Sequence, residues 1–264
     1  PYADGMNANS GNGAPTITIP ARFNGPDGSG NGGYSAGLLA ARLTTEGGPA
    51  VTVTLRTPPP LDHPLTVEGA PATGLRLTDP ERTDRAHLVA EAQTAELPDR
   101  PAIPGGPVTA AEAKEAEKRY PGLVEHPFPH CYSCGPARPE GDGLRLFAGS
   151  VRPATGPDGQ GNTVACTWTP HADLGDGSGA VVLPQTWAAL DCPGGWSSDV
   201  VGRPIVLGRL TARVDRAPRV GHTYVVMGHL ESVDGRKTHT GSAVYDADGT
   251  LLAEAHATWI AIRS

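Results

Sequence analysis

Large rings are scarce in this chain: Phe, Tyr and Trp supply 5% of 264 residues, while apolar residues as a whole supply 38%. A ring-dominated interior is thereby excluded, and any core must be built mainly from Val, Leu and Ala. Cysteine is also rare, at four residues, too few for a disulfide framework in a chain this long. The cytoplasm is therefore the expected location. Basic charge is not in excess: 21 Lys and Arg stand against 28 Asp and Glu, giving a net charge of −7. With the cations scattered, nucleic acid is not an expected partner. No apolar run is long enough to cross a bilayer, so no membrane association is expected. The opening "PYADGMNANSGNGAP" carries no apolar segment of signal-peptide type.

Turn formers are abundant instead, with 35 glycines and 27 prolines, and regular β-type runs lie between their clusters. The chain is also written twice. "HLVAEAQTAEL" (87–97) matches "LLAEAHATWIA" (251–261) around a shared Ala-Glu-Ala. "PPLDHPLTV" (59–67) lies over "PRVGHTYVV" (218–226), which puts His63 over His222. "TITIPARFNGP" followed by "GNGGYSAGLLAARL" (30–43) occupies the place of "TVACTWTP" followed by "VVLPQTWAALDCPGG". The offset between halves drifts from about 151 to 163, as short loop insertions would produce.

Each half therefore reads as a strand, a helix of three to four turns, then further strands. The first half offers strands at Thr16–Phe23, Val51–Thr57, Leu65–Gly69, Leu75–Thr78 and His87–Leu97. The second offers Leu144–Phe147, Asn162–Trp168, Leu207–Asp215, Thr223–Val233, Lys237–Tyr245 and Leu251–Ile262. Alternation in "THTGSAVYD" and "EAHATWIAI" gives these strands one buried face, and "VDGRK" and "DADGT" read as Asp-Gly hairpin turns. An α+β arrangement follows, with one helix on an antiparallel sheet in each half. The expected divisions are 12–97 for the first module, 98–130 for a linker with a short helix, and 131–264 for the second module. In the linker, Thr109 and Glu112 are spaced as a capping box.

One helix across a curved antiparallel sheet, present twice, resembles the tandem (double) hotdog arrangement. Three passages point to its phenylacetate-type acyl-CoA thioesterase branch: "CYSCGPARPEGDGLRL" (131–146), "QTWAALDCPGG" (185–195) and "GRKTHTGSAVYDADGTLLAEAHATW" (235–259). The resemblance implies a fold of two tandem hotdog modules and hydrolysis of acyl-CoA or another acyl thioester, with no cofactor. In that family a helix opens His-Gly-Gly and carries Asp seven residues after the second Gly. A glycine amide polarises the thioester carbonyl, and the carboxylate comes from the partner domain. Here the first half has Asn31, Gly32 and Gly33 at the opening, but Ala40 at the acid position. The second half has Asp191 at the acid position, but Leu183 and Pro184 at the opening. One composite site is thus expected, with Asp191 as base or nucleophile and the Gly32 and Gly33 backbone as the carbonyl-polarising group. Burial of Asp191 at an apolar helix end would raise its pKa. Pro193 is expected to end or kink the helix beside it.

Asn31 reads as the helix N-cap, and Tyr34, Gln185, Thr186 and Trp187 as residues near the substrate. For CoA phosphates the candidates are Arg209, Arg236 and Lys237, with Arg203 and Arg213 behind them. The residues themselves leave plainer readings open. Asp191 can bind a turn amide, the glycines can serve helix packing, the cations can be solvated, and His63 and His222 can simply end turns. A metal alternative rests on His126, His130, Cys131 and Cys134 in "EHPFPHCYSCGP" (125–136), with no metal as the preferred reading. Functional rivals are a non-catalytic acyl-CoA or small-ligand binding module, and a lyase-type hotdog. A homodimer through exposed sheet surfaces is also compatible with the pattern.

Overall fold

The structure, a computed structural model, describes residues 14–262. The opening stretch read for a leader, and the start of the first module at residue 12, lie outside them.

Among the described residues eleven strands form one continuous antiparallel sheet. The first half contributes β1 (Thr16–Thr18), β2 (Ala50–Leu55), β3 (Pro64–Ala70), β4 (Gly74–Thr78) and β5 (Leu88–Ala95). The second half contributes β6 (Gly149–Arg152), β7 (Thr163–Trp168), β8 (Ile205–Val214), β9 (Tyr224–Asp234), β10 (Lys237–Tyr245) and β11 (Leu251–Ala261). Their order across the sheet is β1-β3-β4-β5-β2-β8-β11-β10-β9-β7-β6. Each half is contiguous in that order, and β2 and β8 join them, with Val51 opposite Ala212 and Val53 opposite Leu210. The Asp-Gly turns close as the sequence predicts. Gly235 between β9 and β10 and Gly249 between β10 and β11 both have positive φ, a region glycine enters without Cβ strain.

Among the described residues three α-helices accompany the sheet: α1 (Gly32–Ala40), α2 (Ala110–Ala116) and α3 (Leu183–Trp196). In α2 the Thr109–Glu112 capping box is closed in both directions, and Ala113 and Ala116 are its buried residues. This element is a connector packed on β6 and β7.

α1 and α3 lie against each other, α1 on β2, β5 and β8 and α3 on β7 to β11. Close approach explains the glycines on α1. A Cβ on Gly33 would lie 2.5 Å from the Trp187 carbonyl oxygen and 2.6 Å from Asp191 Cβ. One turn on, a Cβ on Gly37 would lie 2.7 Å from Pro184 Cα. The pairing runs antiparallel, so the amino end of α1 faces the carboxyl half of α3. Every α3 residue from Pro184 to Trp196 is buried, the polar Gln185, Thr186 and Asp191 included.

Three local expectations fail. Thr16–Phe23 is a strand only as far as Thr18, and Ala21–Phe23 turns as a 3-10 helix after Pro20. Leu144–Phe147 is not a strand. Arg145 has φ of 54°, which breaks an extended run, and the Leu144 and Leu146 amides bond to the Tyr132 and Ser133 carbonyls. The segment is thus pinned to the Cys131–Cys134 loop, and the strand begins only at Gly149. Nor does Pro193 end α3, which continues through it to Trp196. Packing overrides the local bias: a Cβ on Gly228 of β9 would meet the Pro193 carbonyl oxygen, so strand and helix backbones are in direct contact. Side-chain hydroxyls from outside the helix also serve its carbonyls, Ser133 donating to Ala188 and Ser242 to Leu190.

Candidate active site

Asp191 projects from α3 onto the amino end of α1. Its Oδ2 accepts the Gly33 amide at 3.0 Å and the Asn31 Nδ2 donor at 3.0 Å. Its Oδ1 is buried and has no hydrogen-bond partner among the described residues. Asn31 caps α1 through its own Oδ1, which accepts the Tyr34 amide at 2.8 Å. One asparagine therefore both starts the helix and steers the carboxylate from the other half of the chain. Burial pushes the Asp191 pKa up to about 7, against the lowering effect of the Gly33 amide. A carboxylate this deep is expensive to ionise, and its two N–H donors and the positive end of α1 offset only part of that cost.

The Gly33 amide is thus already engaged. The first amide of α1, that of Gly32, has no acceptor among the described residues, as is usual for a helix start. Gly32 and Asp191 line the same cavity, of about 560 Å³. Its apolar wall includes Phe128, Trp196, Ile205, Leu207 and Trp259. Such a volume and lining suit a small organic ligand or a short chain. Arg56 lies at its edge, half-exposed and paired with Glu91.

The other sequence candidates fall elsewhere. Tyr34 stacks on Phe23 with ring centres 3.9 Å apart. Gln185 accepts from the Tyr132 hydroxyl at 2.6 Å, and Thr186 and Trp187 are fully buried. All four belong to the packing between α1, α3 and the 131–134 loop, and none lines the cavity. Arg209 donates to Thr54 across the β2–β8 seam and Arg236 to the Ala261 carbonyl. Neither these two nor Lys237, Arg203 and Arg213 lines the cavity around Asp191. The last two are spoken for, Arg203 bonding the Gly235 carbonyl and Arg213 pairing with Asp215 and Glu254. A lone cation in a sequence gives no indication of which sheet face or edge it decorates. His63 pairs with Asp79 at 2.9 Å, so it secures the turn before β3.

Sequence reasoning passed over Arg56, Trp196 and Trp259, whose place at the cavity depends on how the two halves are joined. A partial signal was present for Trp259, which follows the repeated Ala-Glu-Ala of the last strand.

No protein-family model and no curated protein matches this sequence. Solved structures do match it over its whole length. A protein of unknown function with a hot dog fold from Alicyclobacillus acidocaldarius has a TM-score of 0.61 and 13% identity, covering 100% of this chain and 98% of its own. The fold is a double hotdog. The tesB protein of Mycobacterium avium subsp. paratuberculosis gives a TM-score of 0.58 at 12% identity, covering 99% of this chain and 98% of its own. A thioesterase II candidate from Thermobifida fusca gives 0.59 at 14% identity, with coverage of 99% and 97%. In these terms each half of the present chain is one hotdog module, α1 and α3 are the two central helices, and β2–β8 is the seam between modules. Among the described residues no helix is long and apolar enough to cross a membrane.

Proposed function

We propose that this double hotdog hydrolyses an acyl thioester, acyl-CoA or a close relative, at one composite site between its modules. The observation that carries the reading is the meeting of Asp191 with the amino end of α1 at an apolar cavity. The thioester carbonyl oxygen sits against the free Gly32 amide, at the positive end of α1. Gly33 and Asn31 hold Oδ2 of Asp191, which leaves Oδ1 for chemistry. Oδ1 takes a proton from water, the oxygen attacks the carbonyl carbon, and the C–S bond breaks. The same carboxyl group then returns the proton to the departing thiolate, giving free acid and thiol. The acyl chain occupies the wall formed by Leu207, Trp196 and Trp259, and Arg56 is the cation best placed for a phosphate of the leaving group. Structural neighbours described as thioesterase candidates, which match over nearly the whole chain, support the same class of reaction.

A second reading has one observation in its favour. The Gly33 amide, one of the two expected to polarise the carbonyl, is occupied by Asp191 itself. A chain that binds acyl thioesters without turnover would tolerate that. A panel of acyl-CoA thioesters with free-thiol detection separates the two, run on the wild type and on Asp191→Asn. Hydrolysis by the wild type, lost in the variant while binding persists, is the expected result. Binding without turnover in both would overturn the hydrolase and leave the carrier.

A further inference from the structure

The same cavity wall carries a group of side chains that the proposed hydrolysis does not use. Cys131, Cys134 and Cys192 are all buried, and their sulfur atoms lie within 4.8 Å of one another. Cys131 and Cys134 come from the loop before β6, and Cys192 from α3, beside Asp191. Cys131 Sγ and Cys192 Sγ are 3.7 Å apart. Zinc bound tetrahedrally, with Zn–S near 2.3 Å, sets its thiolates about 3.8 Å apart, so this edge already has the spacing of a zinc site.

A donor faces the first of these sulfurs: Asn31 Nδ2 approaches Cys131 Sγ at 3.8 Å. The Gly135 amide closes the turn on the Cys131 carbonyl at 2.8 Å, and its missing Cβ matters, since one would lie 2.5–2.6 Å from three backbone atoms. His126 Nε2 stands 3.5 Å from Cys134 Sγ, while its Nδ1 accepts the Phe128 amide. In the neutral ring the proton is then on Nε2, which makes His126 a donor to the Cys134 sulfur rather than a fourth ligand. His130, half of the histidine pair offered by the sequence, points outward toward Asp27.

We infer that Cys131, Cys134 and Cys192 bind one zinc ion as a trithiolate, with the fourth position open to the cavity and filled by water. Soft thiolate ligands select zinc over the hard divalent cations, and the cavity supplies the entry path. The ion ties the 131–135 loop to α3 at the residue next to Asp191, and so clamps the helix that carries the acid. Three protons leave the thiols on binding, and no electron is transferred.

The test reads metal and not activity, so it stands or falls separately from the hydrolase. The full chain, produced with zinc in the medium and purified without chelator, should carry about one zinc per chain by mass spectrometry. Cys166→Ser, at a core cysteine outside the cluster, should keep it, whereas Cys131→Ser and Cys192→Ser should fall to background. Cobalt exchange of the wild type should give thiolate-to-cobalt charge-transfer absorption with tetrahedral d–d bands. Those two wild-type readings decide the matter even where a serine variant fails to fold. A reduced, anaerobic wild type that takes up neither zinc nor cobalt overturns the proposal. So does zinc retained in Cys192→Ser, or a Cys131–Cys192 disulfide trapped by alkylation in cells.

Discussion

The two central helices occupy equivalent places in their modules, yet only one of the two junctions they form is equipped. At the first, Gly33 offers an amide and Asp191 a carboxylate, and the two bond at 3.0 Å. At the related junction the amide position is Pro184, which has no N–H, and the acid position is Ala40. Both partners of that contact have been replaced by residues unable to make it. What stands there instead is packing: Gly37 against Pro184 and Trp187, with Ala40 fully buried. A duplicated fold can therefore concentrate its chemistry in one junction and use the other for cohesion. The mirrored pair Ser35 and Thr186 shows how far the twofold relation persists, since both hydroxyls are buried without a hydrogen-bond partner among the described residues.

Substitutions can break this contrast, most severely at Asp191. Asp191→Asn keeps the shape and an acceptor for the Gly33 amide but removes the base, so hydrolysis should fall about 10²–10⁴-fold with acyl-CoA binding retained. Steady-state kinetics beside a binding titration checks this. Gly33→Ala forces a Cβ against the Trp187 carbonyl and Asp191, and should cost about 1–3 kcal/mol in urea unfolding. Gly37→Ala should cost a similar amount, but with a smaller loss of kcat/KM, because it disturbs the cohesive junction and not the equipped one. Asn31→Ala removes a helix cap and a donor to Asp191, for a loss of about 1–2 kcal/mol in stability. Its activity should fall by about tenfold, in keeping with one hydrogen bond lost from the carboxylate. The smallest effect is expected from Thr186→Val. The hydroxyl it removes has no partner among the described residues, so thermal denaturation should shift by no more than about 0.5 kcal/mol, upward if at all.

The architecture was legible from alternation and from internal repetition, because a strand with one buried face must alternate and a duplicated module must repeat. Asp191 and the glycine opening were legible as a pair for a different reason: each half lacked what the other kept. Pairing across the β2–β8 seam is not written locally, so Trp196 and Arg56 at the cavity went unread. The continuation of α3 through Pro193 was hidden as well, since it depends on the contact with Gly228 of a distant strand. The thiol cluster was half visible. The spacing of Cys131 and Cys134 was plain, but Cys192 joins them only through the tertiary fold, and His130 turns away from them.

The unequal junctions can be tested most directly by counting ligands. Isothermal titration calorimetry of the wild-type chain with a non-hydrolysable thioether analogue of acyl-CoA should give one equivalent per chain. In ¹⁵N-labelled protein the same titration should move the Gly32 amide resonance. Two equivalents, or saturation that leaves Gly32 unmoved, would contradict a single site shared by the two modules.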